Sequence, residues 1–348
     1  MPLYKYTIEQ AEEWDNVVRS FELHDVYYLS GYVKAFQIHG DGQPLLFYYE
    51  GENIRGINVV MKRDIADIPF LRDRLQRDEL FDFVTPYGYG GWLVEGMGEK
   101  AYLFNDYEKW CKEHGIVSEF VRYHPVLNNA ETTKNFYDVV MMGNTISMDL
   151  SSPDTIWENL TSKNRNMIRK AQKSGVEIYH GQFPDIYITF KEIYNLTMDS
   201  DNAKQYYYFG DEFYDSIRND LSDAAQVFWA EVDGKIIAAS IIIMANGFMN
   251  YHLSGSLREY NKLAPSNFLL YKAALWGCHN GYRNFYLGGG VGSREDSLYK
   301  FKSSFNRNEP KRFAIGKKIY LKDDYHNLVL MNNLRIDEEF FPKYRAIV

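Results

Sequence analysis

Apolar residues along this chain follow two rhythms, a period near 3.6 that marks helix faces and a period of two that marks strands. Residues 7–21 read as a first helix, opened by Thr7 with Gln10 three positions on, the spacing of a capping box. Residues 45–49 and 54–62 read as strands around the turn 50–53. Residues 81–85 predict a short strand running into the glycine-rich stretch 86–91. A helix over 100–114 follows, stopped by Gly115, then a strand over 117–123. The second half repeats this order. A hairpin over 227–244 turns at Asp233-Gly234, a strand covers 248–253, a helix 264–279 and a strand 284–287. Hairpin, strand, glycine-containing turn, helix and strand therefore occur twice, the mark of a duplicated α/β module. The fold class expected is α/β with mixed sheets, in two domains over 1–140 and 141–348, with the seam near 128–143.

The length of 348 residues agrees with two domains. Tyrosine is abundant at 29 residues, and its apolar body with a polar tip suits wet grooves that take large polar ligands as well as ordinary cores. Cys111 and Cys278 lie far apart, so neither a disulfide framework nor a structural zinc is expected. Residues 1–6 are too polar for a secretory leader and no run reaches membrane-spanning length, which predicts a cytoplasmic protein without a transmembrane segment. Such a protein would meet envelope material only at the inner face of the membrane.

The net charge of -8 argues against a surface that grips nucleic acid all over. Two segments depart from that average. Residues 159–175 hold Lys163, Arg165, Arg169, Lys170 and Lys173 without an acid, and residues 294–318 hold eight basic residues against three acids. Each stretch carries about +5, which leaves about -18 on the rest and allows one local anionic ligand. On a helical wheel over 160–175, Met167, Ile168 and Ala171 share one face while Arg165 and Arg169 lie opposite. That helix is either a solvated basic face or an anion contact.

Three segments carry a resemblance. WENLTSKNRNMIRKAQKSGV at 157–176, LTMDSDNAKQYYYF at 196–209 and LYKFKSSF at 298–305 are similar, in this order, to segments of the second domain of the FemABX aminoacyltransferases. Arg122-Tyr123-His124-Pro125 and the stretch 85–91 resemble first-domain signatures of the same family. The resemblance implies two tandem GNAT-like domains with the activity in the second. It also implies transfer of an amino acid from aminoacyl-tRNA onto the stem peptide of a peptidoglycan precursor, forming an amide. Carried over by position, Phe301 and Lys302 match the pair at the reaction centre. Lys204 and Tyr208 match an arginine and a tyrosine that hold the precursor, and Lys34, Tyr87 and Tyr251 match other precursor contacts more loosely. Lys204 departs from the family pattern, because a lysine does not clamp a phosphate bidentately.

The chemistry of the residues themselves is compatible with amide formation. An amine attacking an ester builds negative charge on the carbonyl oxygen, which a fixed cation such as Lys302 stabilises. Read as a strand, residues 298–305 put Lys300 and Lys302 on one side and Phe301 and Phe305 on the other. Asp199, Asp201, Glu259 and Asp296 are base candidates by location, although an ester can also react by substrate assistance. Tyr87 and Tyr89 sit in a stretch that either lines a groove or makes a tight turn. His124 and His252, at strand ends, read as hydrogen-bonded structural residues, and no metal spacing occurs.

No tightly bound cofactor is expected; the resemblance implies aminoacyl-tRNA as co-substrate, met at its acceptor end, with a nucleotide-linked or lipid-linked precursor as acceptor. The alternative donor is acyl-CoA, whose pyrophosphate needs backbone N–H groups at a helix start. The matching stretch 260–267 lacks glycine, and Pro265 removes one donor. Gly288, Gly289, Gly290 and Gly292 lack a following Gly-Lys-Ser/Thr and read as a bend that lets chain or substrate pass closely. A third reading is a non-catalytic protein that binds the same precursor.

Overall fold

The computed structural model describes residues 2–332 and 340–346. It divides into two compact units, residues 1–142 with 313–348, and residues 143–312. The chain therefore crosses into the second unit at Met142/Gly143 and leaves it after Arg312. The expected second domain ran to residue 348; instead the last stretch belongs with the first unit, for a reason that lies in one buried carboxylate.

The first unit contains strands β1 (Leu3–Tyr6), β2 (Gln43–Gly51), β3 (Ile54–Asp64), β4 (Phe81–Val84), β5 (Leu93–Gly96) and β6 (Ile116–Arg122). Its helices are α1 (Ala11–Arg19), α2 (Ser30–His39), α3 (Lys100–Glu113) and the single turn α4 (Ala130–Thr133). The capping box at Thr7 and Gln10 is formed, but it opens a 3-10 turn that precedes α1. β2 and β3 form the hairpin, β4 lies antiparallel to β3, and β6 lies parallel to β4 with α3 as the crossover. α2 was not predicted. Six of its ten residues are buried, so it lacks the polar face that reveals an amphipathic helix.

The chain passes along β7 (Asp138–Asp149) into the second unit, which holds α5 (Pro153–Asn159), α6 (Ser162–Lys173), β8 (Glu177–Gly181), α7 (Pro184–Ser200) and α8 (Asp211–Asp220). It continues with β9 (Ala225–Val232), β10 (Lys235–Ala245), β11 (Phe248–Ser256), α9 (Pro265–His279), β12 (Asn284–Gly288) and α10 (Ser297–Ser303). β9 and β10 make a hairpin, β11 is antiparallel to β10, and β12 is parallel to β11 with α9 as the crossover. The pattern of β2, β3, β4, α3 and β6 is thus repeated by β9, β10, β11, α9 and β12. The core of this unit includes Ile168, Ala171, Phe228, Ile242, Leu270 and Phe285.

β13 (Lys311–Ile319) and α11 (Lys322–Met331) return the chain, with β13 antiparallel to β6 over residues 315–319. Tyr344 is fully buried and its hydroxyl donates to Asp82 Oδ2 at 3.1 Å. Arg345 Nε reaches the same oxygen at 2.5 Å, while Arg63 Nε holds Oδ1 at 2.8 Å. Burial alone would push the Asp82 carboxyl up; the two guanidiniums outweigh it and hold it below the usual carboxylate range. Elsewhere in this unit, Glu119 is also fully buried and accepts from Tyr107, Tyr137 and Tyr320 hydroxyls and from Asn58. Burial pushes the Glu119 carboxyl up in spite of these donors.

Candidate active site

In the second unit β11 and β12 stay in register only from Phe248/Asn284 to Asn250/Tyr286. Beyond that pair β11 bends, because its register against β10 slips between Ile242/Tyr251 and Ile241/Leu253 and leaves His252 as the extra residue of a bulge. β12 slips against β7 between Tyr286 and Gly288 and then ends. Gly288 has φ 79°, and a Cβ at Gly290 would lie 2.0 Å from the Arg294 carbonyl, so the chain turns back on itself where only glycine fits. The bend read from the glycines at 288–292 is this turn.

α10 follows at once. Asp296 is its N-cap, accepting from Tyr299 N–H at 2.9 Å and from Val291 N–H at 3.0 Å. The segment read as a strand is therefore this helix. Phe301 and Phe305, four residues apart, pair edge to face with centroids at 5.4 Å, and Phe301 packs on the core. Lys300 and Lys302 do not share a side: Lys300 is exposed and Lys302 is buried. The reason is the 100° step of a helix, which sets neighbours two apart on nearly opposite faces.

Lys302 Nζ donates to the Gly289 carbonyl at 2.8 Å and lies 5.9 Å from the centre of the Tyr251 ring. The ammonium thus spans the point where the two strands part. Burial pushes it down to about 8, offset in part by the charge of Asp296. Tyr251 hydrogen-bonds to the Ser254 and Ser240 hydroxyls, which join each other at 2.9 Å, and burial pushes its phenol up. Ser240 and Ser254 were not singled out in the sequence, and no spacing marks them; the hairpin register brings them opposite each other. His252, in the bulge, is driven down to about 3 by burial and is neutral.

The other predicted residues lie on other elements. Arg165 is half-buried and Nη1 donates to the carbonyls of Trp157 and Leu160 at 3.3 and 3.1 Å, closing the end of α5. Arg169 lies over the Trp157 ring at 5.1 Å. Both arginines contact α5, but only Arg165 is drawn out of solvent; Arg169, like Lys163, Lys170 and Lys173, is exposed. Lys204 is exposed, and Tyr208 donates to Asp199 Oδ1 at 2.7 Å, which raises its phenol. Among the base candidates, Asp201 meets Arg258 at 3.1 Å, Glu259 meets Lys235 at 3.7 Å, and Asp296 serves as the cap. In the first unit Lys34 is exposed on α2, Tyr87 stacks on Phe36 at 5.3 Å, and Tyr89 packs on Tyr27 and Phe313. His124 Nε2 meets Asp25 at 2.8 Å with both side chains fully buried, a structural pair.

Among the described residues no helix is long and apolar enough to cross a membrane, and no group of three or more His, Cys, Asp and Glu forms a metal-binding cluster. Residues 162–302 match the family model of the acetyltransferase (GNAT) domain, from the first residue of α6 to Lys302 itself. No curated protein sequence matches the chain. Among solved structures, FemX superposes with a TM-score of 0.68 at 13% identity, covering 93% of this chain and 99% of that one. A conserved protein of unknown function from Bacteroides thetaiotaomicron gives 0.58 at 12% identity, covering 91% and 100%. The C-terminal domain of a putative lysylphosphatidylglycerol synthetase from Agrobacterium fabrum gives 0.56 at 15% identity, covering 94% and 98%. Residues 162–302 thus match an acyltransferase domain of the GNAT type, in a chain whose fold is similar to that of FemX.

Proposed function

We propose that this acyltransferase takes an aminoacyl group from the ester of aminoacyl-tRNA and joins it to an amine on the stem peptide of a peptidoglycan precursor. The observation that carries the reading is the buried Lys302 ammonium at the parting of β11 and β12, beside Tyr251. The acceptor amine attacks the ester carbonyl carbon and a tetrahedral oxyanion forms. Lys302 donates a hydrogen bond to that oxyanion in a site with little water, where a charge-assisted bond is strong. The C–N bond is made, the C–O bond to the ribose breaks, and the ribose oxygen leaves with the proton the amine has lost. Phe301 supports the helix that aims Lys302. Arg165, Arg169, Lys204 and Tyr208, with Lys34, Tyr87 and Tyr89 of the first unit, are proposed as contacts to the two substrates. The precursor, nucleotide-linked or lipid-linked, would be met in the cytoplasm at the inner membrane face.

Acyl-CoA is the competing donor, supported by the family model. Against it, α9 begins at Pro265 directly after Ala264, whose φ is 58°, so its first turn offers one backbone donor fewer to a pyrophosphate. Incubation with radiolabelled aminoacyl-tRNA plus precursor, and separately with acyl-CoA plus an amine acceptor, decides between them. Label should pass to the precursor from tRNA alone and only traces with Lys302→Ala. Transfer from acyl-CoA alone would overturn the donor; precursor binding with no transfer from either would leave a binding protein.

The pH profile follows from the ammonium. Transfer should rise as the acceptor amine loses its proton, then fall above pH about 8 as Lys302 loses its own. A kcat that climbs steadily to pH 10 would exclude the ammonium as the stabilising group.

A further inference from the structure

α10 carries Lys302 and is only seven residues long, too short to fix its own direction. Its last carbonyls must be claimed from outside. The carbonyl of Ser304, the residue that closes α10, accepts from two donors at the start of α6. These are the Thr161 N–H at 2.9 Å and Asn164 Nδ2 at 3.2 Å. The carbonyl can only accept, so the Asn164 amide is fixed with its nitrogen toward Ser304. Its Oδ1 accepts from Asn267 Nδ2, in the first turn of α9, at 2.8 Å. Asn164 is 1% exposed. One buried amide thus ties together the starts of α6 and α9 and the end of α10, with the positive end of α6 against the negative end of α10.

We infer that Asn164 is a positioning residue for Lys302, holding α10 at the angle at which the ammonium reaches the Gly289 carbonyl and the Tyr251 ring. Its consequence for catalysis rests on the function proposed above; the geometric claim does not. Without the clasp the Ser304 carbonyl keeps only the Thr161 N–H, the next anchor is the Asn306 side chain on the Ser147 carbonyl at 2.6 Å, and the Phe301–Phe305 pair can roll on the core. Lys302 then gains water at its exposed margin. The groups that face it are Asp296, Tyr251 and the Gly289 carbonyl, and none of them is altered by a change at 164.

The test reads Lys302 directly. In protein carrying 13C-lysine, the Lys302 Cε resonance is titrated in wild type, Asn164→Ala and Asn164→Leu. Leu keeps the branched shape of Asn without donor, acceptor or charge, so it guards against the cavity that Ala leaves and adds no field of its own at Lys302. In both variants the Lys302 midpoint should move up by about one pH unit as the ammonium is rehydrated. With the substrates of the proposed reaction, kcat should fall about tenfold at unchanged KM. A Lys302 titration in folded Asn164→Leu that superposes on wild type overturns the inference. A shifted titration with unchanged kcat keeps the positioning role and removes Lys302 from the proposed chemistry, so the two failures are told apart.

Discussion

Lys302→Met should give a protein slightly more stable than wild type at pH 7 and nearly inert as a transferase. The lysine ionises at about 8 in the folded chain against an ordinary 10.5, and each pKa unit is worth about 1.4 kcal/mol, so holding the ammonium in place costs about 3 kcal/mol. Methionine fills similar space without a charge. It leaves the Gly289 carbonyl without its lysine donor, which costs about 1–3 kcal/mol. The net gain is on the order of 1 kcal/mol, or a rise of about 2–4 °C in the melting of the second unit. Because the folded-state value is depressed, the destabilisation is fully present below pH about 8 and is relieved between there and the ordinary value of 10.5. The stability advantage of the variant should therefore shrink as pH rises through that window. Loss of an oxyanion donor of this kind lowers kcat by about 10²–10³. Calorimetry at pH 7 and pH 10, together with the transfer assay, checks each half. A variant less stable than wild type at pH 7 would mean that the lysine is held for structure.

The second large effect is expected at Asp82. Its carboxylate is fully buried and joins Arg63 on β3 to Tyr344 and Arg345 near the end of the chain. Asp82→Ala leaves two largely buried guanidiniums without their counter-charge, which costs about 3–5 kcal/mol. Urea unfolding of the first unit should shift accordingly at pH 7, and limited proteolysis should begin near residues 340–346, which Asp82 no longer holds. The Asp82 carboxyl is depressed in the folded chain, so its contribution is present above the ordinary value of 3.8 and is lost as pH falls below it. The difference between wild type and variant should narrow at pH 3. An equal loss at both pH values would place the effect in packing, not in charge.

The elements legible in the sequence were those whose periodicity and punctuation agree. The hairpin β9–β10, with Asp233-Gly234 at its turn, and α9, closed by Gly281, stand where residue pattern put them. α10 was read as a strand because four residues of alternating aromatic and lysine fit a period of two as well as a helical one. The signals that separate the two were present: Phe301 and Phe305 are four apart, and Asp296 stands three residues before Tyr299, the N-cap spacing. Asn164 carries no signal in the sequence, since a buried asparagine looks like any other until its partners at 267 and 304 are known. The return of the C-terminal stretch to the first unit rests on a contact between Arg345 and Asp82, 263 positions apart. No local pattern encodes such a distance.

That return has a consequence for synthesis. The second unit is one continuous run of residues, while the first is built from both ends of the chain. A nascent chain emerges from its N-terminus, and early domains usually finish first. Here residues 143–312 can close while Asp82 still waits for Arg345, so the half of the chain made first is the half completed last.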